Sequence, residues 1–192
     1  MKGIKILPGK KLIWYRFDFS NTTDDLVNEI NDYMRENTVE DSRLNWLPCS
    51  SSNFYNYHSH GPCVFLIFDE KFSETPDYYT YDMIPNDAPQ YLQKYMKDFE
   101  TREEPKRGSE WGYLTCEGQY PADIENIGPI QYFPSFQVKL PITSQVTNPF
   151  AAILFERPIK GVLIGIECKI WAKFKTNKDM ARSSVKFDIL VE

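Results

Sequence analysis

Four side chains that could bind a metal or act as nucleophiles occur within a short stretch: Cys49, His58, His60 and Cys63. Imidazole nitrogens and thiolate sulfurs are the donors that zinc binds, usually as a tetrahedron of four. In an extended segment His58 and His60 would share a face, but the Gly61-Pro62 turn would have to bring Cys63 towards them. Because the spacing differs from the common C-x2-C and H-x3-H patterns, these residues are weak zinc candidates, and we predict no metal or other cofactor.

The same histidines could act as the base for a cysteine nucleophile at Cys49 or Cys116. Neither cysteine has the neighbouring basic cluster or helix N-terminus that activates a thiol. The sequence also contains no G-x-S-x-G elbow and no glycine-rich phosphate loop. We therefore predict that the chain is not an enzyme, and a His/Cys-dependent enzyme or zinc protein is the second alternative.

Two aromatic-rich segments are candidates for recognition. One contains Tyr55 and Tyr57 among asparagines, and the other contains Tyr79 and Tyr81. Tyrosine and asparagine together provide rigid apolar area and hydrogen bonds, a combination typical of binding surfaces. These tyrosines are therefore predicted to contact a partner or to line a ligand pocket; the alternative is that they cover the chain's own core.

Trp171 is the third recognition candidate, flanked by Lys169 and Lys173. It occupies an odd position in the longest apolar alternation of the chain, and the odd positions are predicted to face solvent. Because an exposed tryptophan among lysines is unfavourable in water, something should cover it. The cover is either a helix of the same chain or a neighbouring subunit, and a neighbouring subunit would make this face an assembly surface.

The elements that position these residues are mostly strands. Val162–Lys175 alternates strictly, and its predicted antiparallel partner is Val185–Val191. Helices are predicted from the Ser20–Thr23 cap to about Asn37 and from Asn86 or Asp87 to about Glu100. Further strands are predicted at Leu12–Phe19, Cys63–Phe68, Trp111–Cys116, Gln131–Leu140 (interrupted by Pro134) and Phe150–Phe155.

These elements predict an α+β fold class. We expect a mostly antiparallel β-sheet or sandwich with two amphipathic helices and a long C-terminal β-hairpin. The length of 192 residues is that of a single domain, 1–192.

The composition restricts location and partners. The net charge of −5 makes nucleic acid an unexpected partner. No apolar run approaches the roughly 20 residues that cross a bilayer, and the N-terminus does not resemble a signal peptide. We therefore expect a soluble, cytoplasmic or intracellular protein without membrane contact. In such a compartment the four cysteines, Cys49, Cys63, Cys116 and Cys168, are expected to be reduced and mostly in the core.

Part of the N-terminal half resembles a known ligand-binding family. The opening Ile4-Lys5-Ile6-Leu7-Pro8-Gly9-Lys10-Lys11-Leu12-Ile13-Trp14-Tyr15-Arg16, followed by a helix, and the run Phe68–Pro76 are similar to segments of GyrI-like effector-binding domains. The resemblance implies a small-ligand-binding α+β module, which is the first alternative function. An apolar cavity bordered by Trp14, Tyr55 or Tyr79 would be expected in that case.

The function that the sequence favours is a non-catalytic protein–protein interaction or assembly protein, a structural or accessory component of a larger particle. The absent catalytic motifs, the aromatic segments and Trp171 point in this direction. Long strands with an exposed edge also often assemble by strand addition. The expected partner is another protein or a second copy of the chain.

Overall fold

The computed structural model describes residues 3–18, 20–37, 46–59, 61–68, 76–102, 111–139, 150–173 and 184–192. Within these ranges the chain forms nine strands and three α-helices. The strands are β1 (Ile4–Leu7), β2 (Leu12–Tyr15), β3 (Cys63–Phe68), β4 (Trp111–Gly118), β5 (Ile130–Phe133), β6 (Gln137–Lys139), β7 (Phe150–Phe155), β8 (Ile164–Trp171) and β9 (Ser184–Val191). The helices are α1 (Ser20–Glu36), α2 (Gln90–Arg102) and α3 (Pro121–Asn126).

The strands form two sheets that share a core. Sheet one has the order β1-β3-β7-β5, with antiparallel neighbours throughout. Sheet two has the order β2-β9-β8-β4-β6, and only the β2–β9 pair is parallel among these described strands. Phe155 of sheet one and Phe187 of sheet two meet edge to face, with 6.1 Å between ring centroids. The predicted α+β class is confirmed.

The C-terminal hairpin follows the predicted alternation. The even positions of β8, such as Ile166 and Ile170, are buried in the shared core, and β9 pairs antiparallel with β8. Regular pairing ends at Trp171, and Lys173 then forms an isolated bridge with Asp77. The strand is therefore shorter than the predicted range; the positions 174 and 175 and most of the hairpin connection lie outside the described residues.

Residues predicted as one strand, Gln131–Leu140, form two strands in different sheets. β5 pairs with β7 in sheet one, and β6 pairs with β4 in sheet two. Pro134 lies between them, and its missing N–H prevents one ladder from continuing through this position. Leu140 lies outside the described residues.

Both predicted helices are present, and each buries most of its predicted apolar stripe; Tyr91 of α2, predicted as buried, is exposed. α1 buries Leu26 and Ile30 in the shared core, whereas α2 buries Leu92 and Met96 against the opposite face of sheet two. The predicted first strand ends early, at Tyr15, and Phe19 lies outside the described residues. No helix of the described ranges is long and apolar enough to cross a membrane.

Candidate interaction surface

The indole of Trp171 is buried by the chain itself. Its exposed fraction is 4%, and it packs in a second apolar cluster with Leu92 and Met96 of α2. The indole Nε1 donates a hydrogen bond to Thr115 Oγ1 at 2.8 Å. The prediction that this face is open to solvent is therefore wrong, because α2 provides the cover, one of the two possibilities that the sequence left open.

The lysines that flank Trp171 and the tyrosines of the second aromatic segment lie together, at the border of the region that α2 covers. Lys169 Nζ lies 3.8 Å from the centroid of the Trp171 ring and 3.5 Å from a carboxylate oxygen of Asp87. Lys173 Nζ lies 5.1 Å from the Tyr79 ring centroid. Tyr81 belongs to the same cluster, where Lys97 Nζ lies 5.8 Å from its ring centroid. A binding role for these side chains stays a prediction.

Tyr55 and Tyr57 lie elsewhere, in the shared core. Tyr55 donates a hydrogen bond from its hydroxyl to Asn31 Oδ1 of α1 at 2.8 Å. Tyr57 contacts Tyr15 edge to face, with 5.1 Å between centroids, and burial raises the pKa of Tyr57 well above its usual value. Neither side chain is exposed, and both pack in the chain's own core, which is the alternative that the sequence left open.

The four cysteines form two disulfides, Cys49–Cys63 and Cys116–Cys168. The expectation of reduced thiols is therefore wrong. Cys116 and Cys168 are directly paired across β4 and β8, which brings their sulfurs within bonding distance. A bonded sulfur is not a thiolate, so none of these cysteines is the predicted zinc ligand or nucleophile in this state.

The histidine part of the predicted metal site is only partly described. His58 stacks on Phe54, with 4.2 Å between ring centroids, and His60 lies outside the described residues. Among the residues that the structure describes, no group of three or more His, Cys, Asp or Glu side chains is close enough to hold a metal ion.

An apolar surface lies on β2, where the sequence predicts only that Trp14 could border a ligand cavity. Leu12 and Trp14 have exposed fractions of 45% and 42%, although the alternate residues Ile13 and Tyr15 are buried. β2 is an edge strand of sheet two, and Trp14 pairs with the half-buried Leu190 of β9. We call Leu12, Trp14 and Leu190 the β2 outer face. The period-two alternation of 12–15 could have identified it.

A family model with the description "Sodium / potassium ATPase beta chain" matches residues 29–188. Two curated relatives are similar. Sodium/potassium-transporting ATPase subunit beta-2 of Drosophila melanogaster is 32% identical over 154 residues, which cover 77% of this chain and 47% of the relative. Subunit beta-1 of the same organism is 32% identical over 152 residues, covering 75% and 47%. The chain thus spans about half the length of the curated relatives that it matches.

These matches correct several expectations. ATPase beta subunits are membrane-anchored proteins that work in a membrane complex, so the expectations of a soluble, cytoplasmic or intracellular protein without membrane contact are wrong. The matched family is also not the effector-binding family that the N-terminal residues resemble. Beta subunits are non-catalytic accessory subunits, which confirms the prediction of a non-enzyme. The prediction of a non-catalytic accessory protein within a larger complex is confirmed in this general form, without a named partner.

Proposed function

Because the chain belongs to the sodium/potassium ATPase beta chain family, we propose that it is an accessory subunit that binds the alpha subunit of a sodium/potassium-transporting ATPase. The family match, which spans residues 29–188, is the observation that carries this proposal. The chain would contribute no catalytic group. Its part would be to present a rigid surface to its partner.

An extracellular position is part of the proposal. Disulfides persist in oxidising compartments and are rare in the cytosol, and this chain has two of them. The relatives are subunits of sodium/potassium-transporting ATPases. The described residues would then lie on the extracellular side of the membrane that holds the transporter.

The proposed contact with the partner is the β2 outer face. Trp14 and Leu12 expose apolar area side by side on one strand, and large aromatic residues are enriched among the residues that dominate interface energy. β2 also lies at a sheet edge, where unpaired backbone groups can accept a further strand. The surface therefore combines an apolar anchor with an edge, which suits a protein partner.

Co-purification with the alpha subunit tests the proposed binding and the proposed contact surface. The chain, co-expressed with the alpha subunit in a eukaryotic secretory system, is expected to be retained by a tag on the alpha subunit. Trp14→Ser should weaken retention at least about tenfold, as loss of an aromatic hot spot does. Ile159→Ser is the matched control, because Ile159 has an exposed fraction of 51% but lies outside the β2 outer face.

The outcomes separate the function from the surface. If the unaltered chain is not retained, the proposed function is wrong. If Trp14→Ser and Ile159→Ser are retained equally well, the function stands and the proposed surface is wrong. Lys173→Ala in the same assay tests whether the lysine–tyrosine border near Trp171 also contacts the partner, as the sequence predicts.

A further inference from the structure

A notch lies where the chain crosses from sheet one to sheet two, between β5 and β6. The ladder with β6 covers only residues 111–113 of β4. Further along this edge, the Leu114 N–H donates to the carbonyl of Phe136 at 2.7 Å, and the Cys116 N–H donates to the hydroxyl of Tyr132 at 2.8 Å. The edge then borders a cavity of about 430 Å³, within the roughly 300–1,000 Å³ typical of small-molecule sites.

The walls of the notch are apolar and aromatic, and they include one acidic side chain, Glu117 of β4. The wall residues that matter here are Ile124, Ile127, Ile130, Tyr91, Tyr132 and Phe136. A cavity with this lining favours a ligand with a hydrocarbon body. The chemistry of the ligand's polar end depends on which polar groups of the cavity wall still have an unused hydrogen-bonding position.

Polar groups beside the cavity already accept hydrogen bonds from the chain. The Tyr132 hydroxyl accepts the Cys116 N–H at 2.8 Å. Thr115 also accepts the indole N–H of Trp171. Each of these hydroxyl oxygens thus already accepts one hydrogen bond, so the Glu117 carboxylate offers more acceptor positions to a ligand that donates hydrogen bonds.

The carboxylate of Glu117 is different. Within the residues that the structure describes, no cation forms an ion pair with it. Its cross-strand neighbour Glu167 is paired with Lys186 at 3.6 Å, and the nearby Lys169 lies against Asp87. Partial burial raises the pKa of Glu117, as expected for an acid that has lost water without gaining a cation.

We propose that this notch binds a small organic ammonium ion, with the charged nitrogen at the Glu117 carboxylate and the hydrocarbon body against the isoleucine and aromatic walls. A cation would complete the pairing that Glu117 lacks, and aromatic rings attract cations further. The same carboxylate disfavours anions. The site does not depend on the proposed function, because β8 and β9 separate β4 from β2 in sheet two.

Titration of the chain with phenethylamine, followed by calorimetry or by NMR, tests the proposal. Phenethylamine should bind saturably, and the uncharged analogue 2-phenylethanol should bind at least about tenfold more weakly, the scale of one charge-assisted hydrogen bond. Glu117→Gln should weaken amine binding by a similar factor. Glu167→Gln, which changes the carboxylate directly opposite, should change it by less than about twofold.

Three results would overturn the proposal: no saturable binding of phenethylamine up to roughly 10 mM, equal binding of the alcohol, or equal losses in the two glutamine variants. The comparison of amine with alcohol uses the unaltered chain. It therefore remains decisive if Glu117→Gln fails to fold.

Discussion

The indole N–H of Trp171 donates to the hydroxyl of Thr115 at 2.8 Å, across two neighbouring strands and with both side chains buried. Trp171, for which the sequence left open a cover from the same chain or from a neighbouring subunit, is thus covered by its own chain. Its polar atom is satisfied by Thr115 of β4, and its ring packs in one cluster with Leu92 and Met96 of α2. These contacts join α2 to the face of sheet two.

Replacing Thr115 by valine should destabilise the fold by about 1–3 kcal/mol, because the buried indole N–H would lose its acceptor. Thr115→Ser, which keeps a hydroxyl, should cost less. Urea denaturation of the three proteins, followed by tryptophan fluorescence, measures the difference. Equal stability of Thr115→Val and the unaltered chain would show that Trp171 does not depend on this hydrogen bond.

The two disulfides should contribute differently to stability. Cys116–Cys168 closes a sequence separation of 52 residues and Cys49–Cys63 one of 14, so chain entropy predicts about 4 and about 3 kcal/mol. Paired alanine substitutions at each disulfide, compared in denaturant midpoint, test the order. A larger loss from the 49–63 pair would contradict the entropic argument and point to contacts of the segment before β3.

Sequence patterns predicted the hairpin and both long helices because periodicity directly reports which side of an element is apolar. The even positions of β8 alternate with charged residues, and the structure buries those even positions. The same pattern does not indicate which element covers the opposite side of β8. Trp171 lies under α2, an element about seventy residues earlier in the chain, and residue spacing contains no information about that packing.

The disulfides and the location were missed for a related reason. The pairing of Cys116 with Cys168 depends on the register between β4 and β8, which was not predicted. Without that pairing, the cysteines were assigned to a reducing compartment from the absence of a signal peptide and of a long apolar run. Relatives, rather than any pattern in these residues, carried the information about the membrane.

Gly118 should be essential for the position of α3. A Cβ atom there would meet backbone atoms of α3, the amide nitrogen of Ile124 and, at 2.5 Å, the carbonyl carbon of Asp123. Gly118→Ala is therefore expected to cost about 1–3 kcal/mol in thermal or denaturant unfolding, the range for overpacking.

Gly165→Ala is the matched control for Gly118→Ala. A Cβ at Gly165 would approach side-chain ends rather than backbone, at 3.1–3.4 Å, so its neighbours would have to shift by only a few tenths of an ångström. Two of these ends, Gln119 Nε2 and Asp123 Oδ2, are hydrogen-bonded. We expect a loss below about 1 kcal/mol, less than for a clash with backbone. If both variants lose the same stability, the close approach of α3 to β4 is not what requires glycine at position 118.

The pH dependence of stability should reveal the missing cation at Glu117. Partial burial raises its pKa in the folded chain above the unfolded value of about 4.3. The folded chain therefore binds more protons than the unfolded chain between these two pKa values, so stability should fall as pH rises through this window and then stay level. Tyr91 and Tyr132 lie near it, and burial raises the pKa of each tyrosine further above this window. Glu167 lies directly opposite on β8.

Comparison with Glu117→Gln isolates this effect, because every other titratable group is present in both proteins. The stability of the unaltered chain minus that of the variant, from urea midpoints between about pH 4 and pH 8, should become more negative as pH rises. The side chain is substantially exposed, so the change should be small. Saturating phenethylamine should reduce it, because a bound ammonium favours the ionised carboxylate. A difference that instead becomes more positive with rising pH would mean that a cation already neutralises Glu117 in the folded chain.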